Sequence, residues 1–249
     1  MQRLITIAFI FLNLVSYSQS VRGTTYFGLQ VKPIFQTNAG GSELSNLKLD
    51  NFNVAIKQKV GFSFGGSVRT NITKLIAFES GINFVQRNYE ITNSLTDTNV
   101  SISHQWSYIN YEIPLNALIY IQLSPKTYMN TSLGTAIRFT PTDIQKKLQT
   151  GGIHSFENYG LYQSKIAFNV NANVGFEYRT DKKGFYYIGG SISVPLRPIL
   201  NFYSIHSIQS TTAKKLVKGQ FTGRYISLDL RYFFPNIKKK GDQPNKELH

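Results

Sequence analysis

From Thr25 onward the chain alternates apolar and polar residues over stretches far longer than the strands of soluble proteins. This period of two restricts its fold more than any other feature. In one stretch Ile109, Tyr111, Ile113, Leu115, Ala117, Ile119, Ile121 and Leu123 share a face, while Tyr108, Asn110, Glu112, Pro114, Asn116 and Gln122 share the other. Such a run spans about 20 residues, where globular strands usually have ~5–6. The pattern predicts strands at Thr25–Phe35, Ile56–Asn71, Leu75–Thr92, His104–Leu123, Thr127–Thr140, Tyr162–Thr180, Phe185–Asn201 and Gly219–Phe234. The connections after the second, fourth and sixth are brief (Ile72-Thr73-Lys74, Ser124-Pro125-Lys126, Asp181-Lys182-Lys183-Gly184), and the others are long and polar. Short turns at one end and long loops at the other are the asymmetry of membrane barrels. The expected fold is therefore all-β: an eight-stranded antiparallel up-and-down transmembrane β-barrel with four long external loops and short periplasmic turns.

The alternation does not say which face points inward. The polar face does, because it is rich in small residues (Gly28, Gly61, Ser63, Gly65, Ser67, Gly81, Gly134, Gly175, Gly189, Ser191). Glycine weakens a solvated strand, whereas inside a narrow barrel it makes room for long neighbours. Charged residues are 16% of the chain, against ~25% in soluble domains. A polar interior would then hold Gln30, Lys32, Arg69, Glu79, Asn83, Arg87, Glu112, Arg138, Glu177, Arg197, Asp229 and Arg231. Among these, Arg87, Glu112, Arg138, Glu79, Glu177, Asp229 and Arg231 are expected to be structural charges that satisfy each other. The turn about Pro125 places Glu112 opposite Arg138, which predicts an ion pair. Eight strands enclose a space that side chains fill, which argues against a general diffusion pore.

Residues 1–20 read as a signal peptide, with Arg3, an apolar run from Leu4 to Val15 and small residues at Ser16, Ser18 and Ser20. Residues 21–235 form the barrel, and 236–249 a polar basic tail that opens with Lys238-Lys239-Lys240. With no cysteine, disulfides, thiolate metal sites and a lipid-modified cysteine are excluded. The net charge of +14 would suggest nucleic acid in a cytosolic protein. After export the expected partners are outer-membrane lipid and lipopolysaccharide phosphates, met by Lys146, Lys147, Lys214, Lys215 and Lys218, and no nucleic acid.

The segments Tyr26-Phe27-Gly28-Leu29-Gln30-Val31-Lys32-Pro33, Gly61-Phe62-Ser63-Phe64-Gly65-Gly66, Glu79-Ser80-Gly81-Ile82-Asn83-Phe84-Val85-Gln86-Arg87, Tyr111-Glu112-Ile113-Pro114-Leu115 and Asn173-Val174-Gly175-Phe176-Glu177-Tyr178-Arg179 resemble the PorT-like outer-membrane beta-barrel family, relatives of the OmpA-type small barrels. The resemblance implies an outer-membrane location and a structural or interaction role, such as an accessory component of a secretion or envelope complex. It supplies no catalytic or cofactor-binding residues. Two other classes are weighed beside it. Histidines at external positions (His104, His154, His206) near Ser204, Ser207, Ser155 and Glu157 are what an outer-membrane enzyme modifying lipid A would need. A narrow channel would need an open interior. No metal-ligand spacing occurs.

Overall fold

The computed structural model describes residues 23–37, 46–141, 144–149, 153–208 and 214–235. The expected signal peptide and basic tail lie outside the described residues. Strands dominate: β1 (Thr25–Gln36), β2 (Asn46–Leu49), β3 (Phe52–Asn71), β4 (Ile76–Leu95), β5 (Val100–Gln122), β6 (Thr127–Phe139), β7 (Ile144–Gln149), β8 (His154–Tyr162), β9 (Ile166–Arg179), β10 (Phe185–Pro195), β11 (Leu200–Ile208), β12 (Lys214–Phe221) and β13 (Tyr225–Phe233). Every pairing is antiparallel. One sheet runs β1-β13-β10-β9-β6-β5-β4-β3-β2, and β1 also pairs β3 from Thr25↔Thr70 to Ile34↔Gly61, so the sheet curls back until β1 meets β3, with β2 extending from β3 beyond that join. A second sheet runs β12-β11-β8-β7.

Thirteen strand segments are therefore described where the sequence pattern predicts eight. The extra ones come from the connections expected to be loops, which carry a short alternation of their own. Three predicted strands also merged separate elements. β8 and β9 are divided at Ser164, whose hydroxyl donates to the Ile166 carbonyl. β10 stops at Pro195 and β11 starts at Leu200; proline at 195 and 198 removes ladder donors there. β12 and β13 are divided at Gly223, which has φ +70°, a conformation glycine adopts without steric cost. Because β10 ends early, Arg197 is exposed outside the interior it was expected to join. The connection between β4 and β5 is a turn of four residues, 96–99, rather than a long loop.

The three longest strands, β3, β4 and β5, change character at one level. Along β5 the exposed positions read Ser101, Ser103, Gln105 and Ser107, and then Ile109, Tyr111, Ile113, Leu115, Ile119 and Ile121. Along β4 the same face reads Ile76, Phe78, Ile82 and Phe84, and then Gln86, Asn88, Glu90 and Thr92. Register places Gln86 opposite both Ile109 and Phe62, so the two switches coincide. β3 has a bulge between Lys59 and Phe62 at this height. It shifts the inward positions from even (Phe52, Val54, Ile56, Gln58) to odd (Gly61, Ser63, Ser67, Arg69).

Candidate functional site

The inner face changes in the opposite sense at the same level. On the short-turn side it carries a chain of alternating charge: Lys32, Asp229, Arg231, Glu79, Arg69, Glu177 and Arg179. Lys32 Nζ lies 3.2 Å from Asp229. Arg231 reaches Asp229 and Glu79, each at 2.6 Å. Arg69 donates from Nε to the other oxygen of Glu79 at 2.8 Å and from Nη1 to Glu177 at 2.5 Å. Arg179 closes the chain on Glu177 at 2.5 Å. The Arg69 guanidinium also stacks 4.1 Å from the Phe233 ring centroid, and Arg231 4.7 Å from that of Tyr187. Tyr187 donates to Asn173 at 2.6 Å. A Cβ on Gly189 would stand 2.1 Å from the Tyr187 hydroxyl oxygen, and one on Gly175 would stand 2.4 Å away. The glycines leave the space that this tyrosine fills.

Nearer the switch level sits a second charged group. Glu112 and Arg138 are register partners, as the turn about Pro125 requires. They do not form the expected ion pair. The Glu112 carboxylate is 3.6 Å from Arg87 and accepts from Asn110 (3.0 Å), Asn169 (3.2 Å) and Tyr225 (3.1 Å). Arg138 donates instead to the Asn169 side-chain oxygen at 3.3 Å. Asn169, from β9, thus stands between them. Its role was invisible in the sequence because no local register ties β9 to β5. Arg87 also donates to the Gly223 carbonyl and lies over Tyr225. Between the two charged groups is a cavity of about 30 Å3, lined by Lys32, Asn83, Glu112, Tyr225 and Arg231 among others. That is room for about one water.

Above the switch the interior is built around an apolar cluster. Phe52, Val54, Ile56, Tyr89, Ile91, Leu95, Trp106 and Tyr108 from β3–β5 meet Phe156, Ile199, Leu200, Phe202, Val217 and Phe221 from the second sheet and its approaches. Trp106 lies 5.2 Å from Phe202 and 6.0 Å from Phe221. The outer segments therefore form a packed cap rather than separate loops. The loop lysines fall on the edge strands of its sheet, β7 and β12, where charge hinders edge-to-edge pairing with other chains.

Among the groups considered for lipid chemistry, His154 and His206 meet across the paired strands β8 and β11. Ser204 is fully buried and donates to Asn93 at 2.9 Å. His206 faces His154 at 3.1 Å, and burial followed by His154 lowers its pKa. Glu157 is engaged by Tyr159 and by Lys147 (2.9 Å), whose hydrogen bonds hold its carboxyl below the usual range. His104, buried on the inner face of β5, has no hydrogen-bond partner at either ring nitrogen among the described residues; burial, then Lys146, pushes it down to about 4.

No protein-family profile matches the chain, and no curated protein does. The resemblance to PorT-like barrels therefore stays an expectation of the sequence. Among solved structures, the crystal structure of the outer membrane protein OprG from Pseudomonas aeruginosa is similar to this chain at a TM-score of 0.49 and 9% identity, covering 84% of this chain and 95% of that one.

Proposed function

We propose that β1, β3, β4, β5, β6, β9, β10 and β13 form a closed eight-stranded barrel in the outer membrane, reached through the N-terminal signal, and that the barrel holds a folded cap outside the membrane. One observation carries this reading: the exposed face turns from apolar to polar, and the inner face from charged to apolar, at one level of β3–β5. A soluble protein has no reason to expose Phe62, Phe64, Ile82, Ile113, Ile119 and Phe168 at 41–61% of their surface while enclosing behind them a chain of linked charges of which Arg69, Glu79, Glu177, Asp229 and Arg231 are buried. From Ile109 to Ile121 the strand covers about 40 Å, or roughly 30 Å of height at a ~40° tilt. That matches a hydrocarbon layer of ~30 Å.

The role is structural or interactive rather than catalytic. A cavity of about 30 Å3 and a packed apolar cap oppose conduction. The cap, with Lys146, Lys147, Lys214 and Lys218 exposed, is the part available to lipopolysaccharide phosphates or to another component of a secretion or envelope complex. The mature protein should resist extraction by salt and alkali, migrate faster unboiled than boiled on a denaturing gel, and add no conductance to a planar bilayer. Solubility without detergent would sink the membrane reading, and steady conductance would sink the filled interior.

A further inference from the structure

Among the described residues, the buried arginines have carboxylates, with one exception. Arg69 has Glu79 and Glu177, Arg231 has Glu79 and Asp229, and Arg87 has Glu112. Arg138 is 2% exposed, and among the described residues no carboxylate lies within 4.0 Å of it; it donates to the neutral side-chain amide of Asn169 at 3.3 Å. The group near the switch level thus holds two guanidinium ions against one carboxylate. An uncompensated buried charge costs several kcal/mol, so a missing anion is the economical explanation.

A place for that anion exists beside it. Arg138 lines a pocket of about 450 Å3 that opens through the barrel wall between the start of β9 and the connection from β10 to β11. The wall is open there because β9–β10 pairing ends at Asn169↔Pro195, with one further bond from the Leu196 amide to the Phe168 carbonyl at 3.0 Å. Its lining also includes the apolar Ile166, Phe168, Leu196 and Pro198 and the polar Gln163 and Ser164, with Arg197 exposed at its edge. Ile166, Phe168 and Leu196 are 57%, 51% and 64% exposed. Ile166 is in register with Phe139, and Phe139 with Tyr111, one step inside the polarity switch at Ile109. The pocket therefore sits where headgroups meet acyl chains in the outer leaflet.

Given the membrane reading above, on which this rests, we propose that the pocket binds a phosphorylated glycolipid of the outer leaflet: its phosphate between Arg197 and Arg138, its acyl chain along Ile166, Phe168 and Leu196. Two guanidinium groups suit a phosphate, which accepts several charge-assisted bonds at once, and the apolar wall holds a chain that free phosphate lacks.

The test is urea unfolding of the detergent-solubilised protein, with lipid A, dephosphorylated lipid A, inorganic phosphate or palmitate added. Lipid A alone should raise the midpoint. Arg197→Ala should weaken its apparent affinity by about tenfold, the worth of one charge-assisted contact. Arg138→Met should abolish the response, yet without lipid it should be at least as stable as the parent, because it removes an unpaired buried charge. An equal response to dephosphorylated lipid A, to palmitate or to inorganic phosphate would overturn the proposal, as would an undiminished lipid A response in Arg138→Met. Should the protein show no heat-modifiable migration, the membrane reading fails; should it migrate so and ignore lipid A, only the lipid site fails.

Discussion

The two halves of this molecule use the same strands with opposite chemistry. On one side of the Gln86–Ile109 level the outside is Phe, Ile, Leu and Val and the inside is a chain of seven alternating charges. On the other the outside is Ser, Gln, Asn and Lys and the inside is an aromatic core around Trp106. The difference teaches that burial alone does not select apolar residues: behind an apolar outer face the enclosed positions carry ion pairs that satisfy each other, and behind a polar outer face they carry a largely apolar core.

The halves should fail differently. Glu79 compensates both Arg69 and Arg231, so Glu79→Ala leaves two buried guanidinium groups short of a partner and should cost on the order of 3–5 kcal/mol. The urea midpoint for loss of heat-modifiable migration measures it. Glu157→Ala, which breaks a partly exposed pair with Lys147 in the cap, should cost under about 1 kcal/mol. Equal losses at the two sites would erase the contrast between interior and surface charge.

Next in size is the cap. Phe202 is fully buried against Trp106, and Phe202→Ala should cost about 3 kcal/mol through the cavity left behind. The chain has one tryptophan, so fluorescence from Trp106 reports the cap while gel migration reports the strands below it. Fluorescence should shift to lower urea with migration unchanged. A joint shift of both would show that the halves unfold as one unit.

A smaller effect locates the boundary. Ile113→Lys should cost about 2 kcal/mol, while Ser103→Lys, ten residues up the same face, should cost almost nothing. Matching costs would move the polarity switch away from Ile109.

The smallest concerns pH. His104 in the folded cap takes a proton only near pH 4, whereas an unfolded imidazole takes one at about 6.5. The unfolded state binds more protons between those values, so cap stability is full above about pH 6.5, falls toward about pH 4 and levels off below. The effect should be on the order of 1 kcal/mol and be read from Trp106 fluorescence. A His104→Gln variant that keeps the full slope would assign it elsewhere, His206 being the next group with a lowered pKa.

By itself the sequence determined the long alternating strands, the short turns at Thr73, Pro125 and Lys182, and the face on which Glu79, Arg87, Glu112, Arg138, Glu177, Asp229 and Arg231 lie. These follow from a period of two and from pairing across a tight turn, both local properties of the chain. It did not show that the outer connections pack into a second sheet, since the alternation within β8 or β11 is too short to tell a strand from a loop. Nor did it show that Asn169 would come between Glu112 and Arg138, or that Arg197 would leave the interior for the mouth of a pocket. Those outcomes depend on which distant strands meet and at what height, and register across long connections is set by packing rather than by any residue nearby.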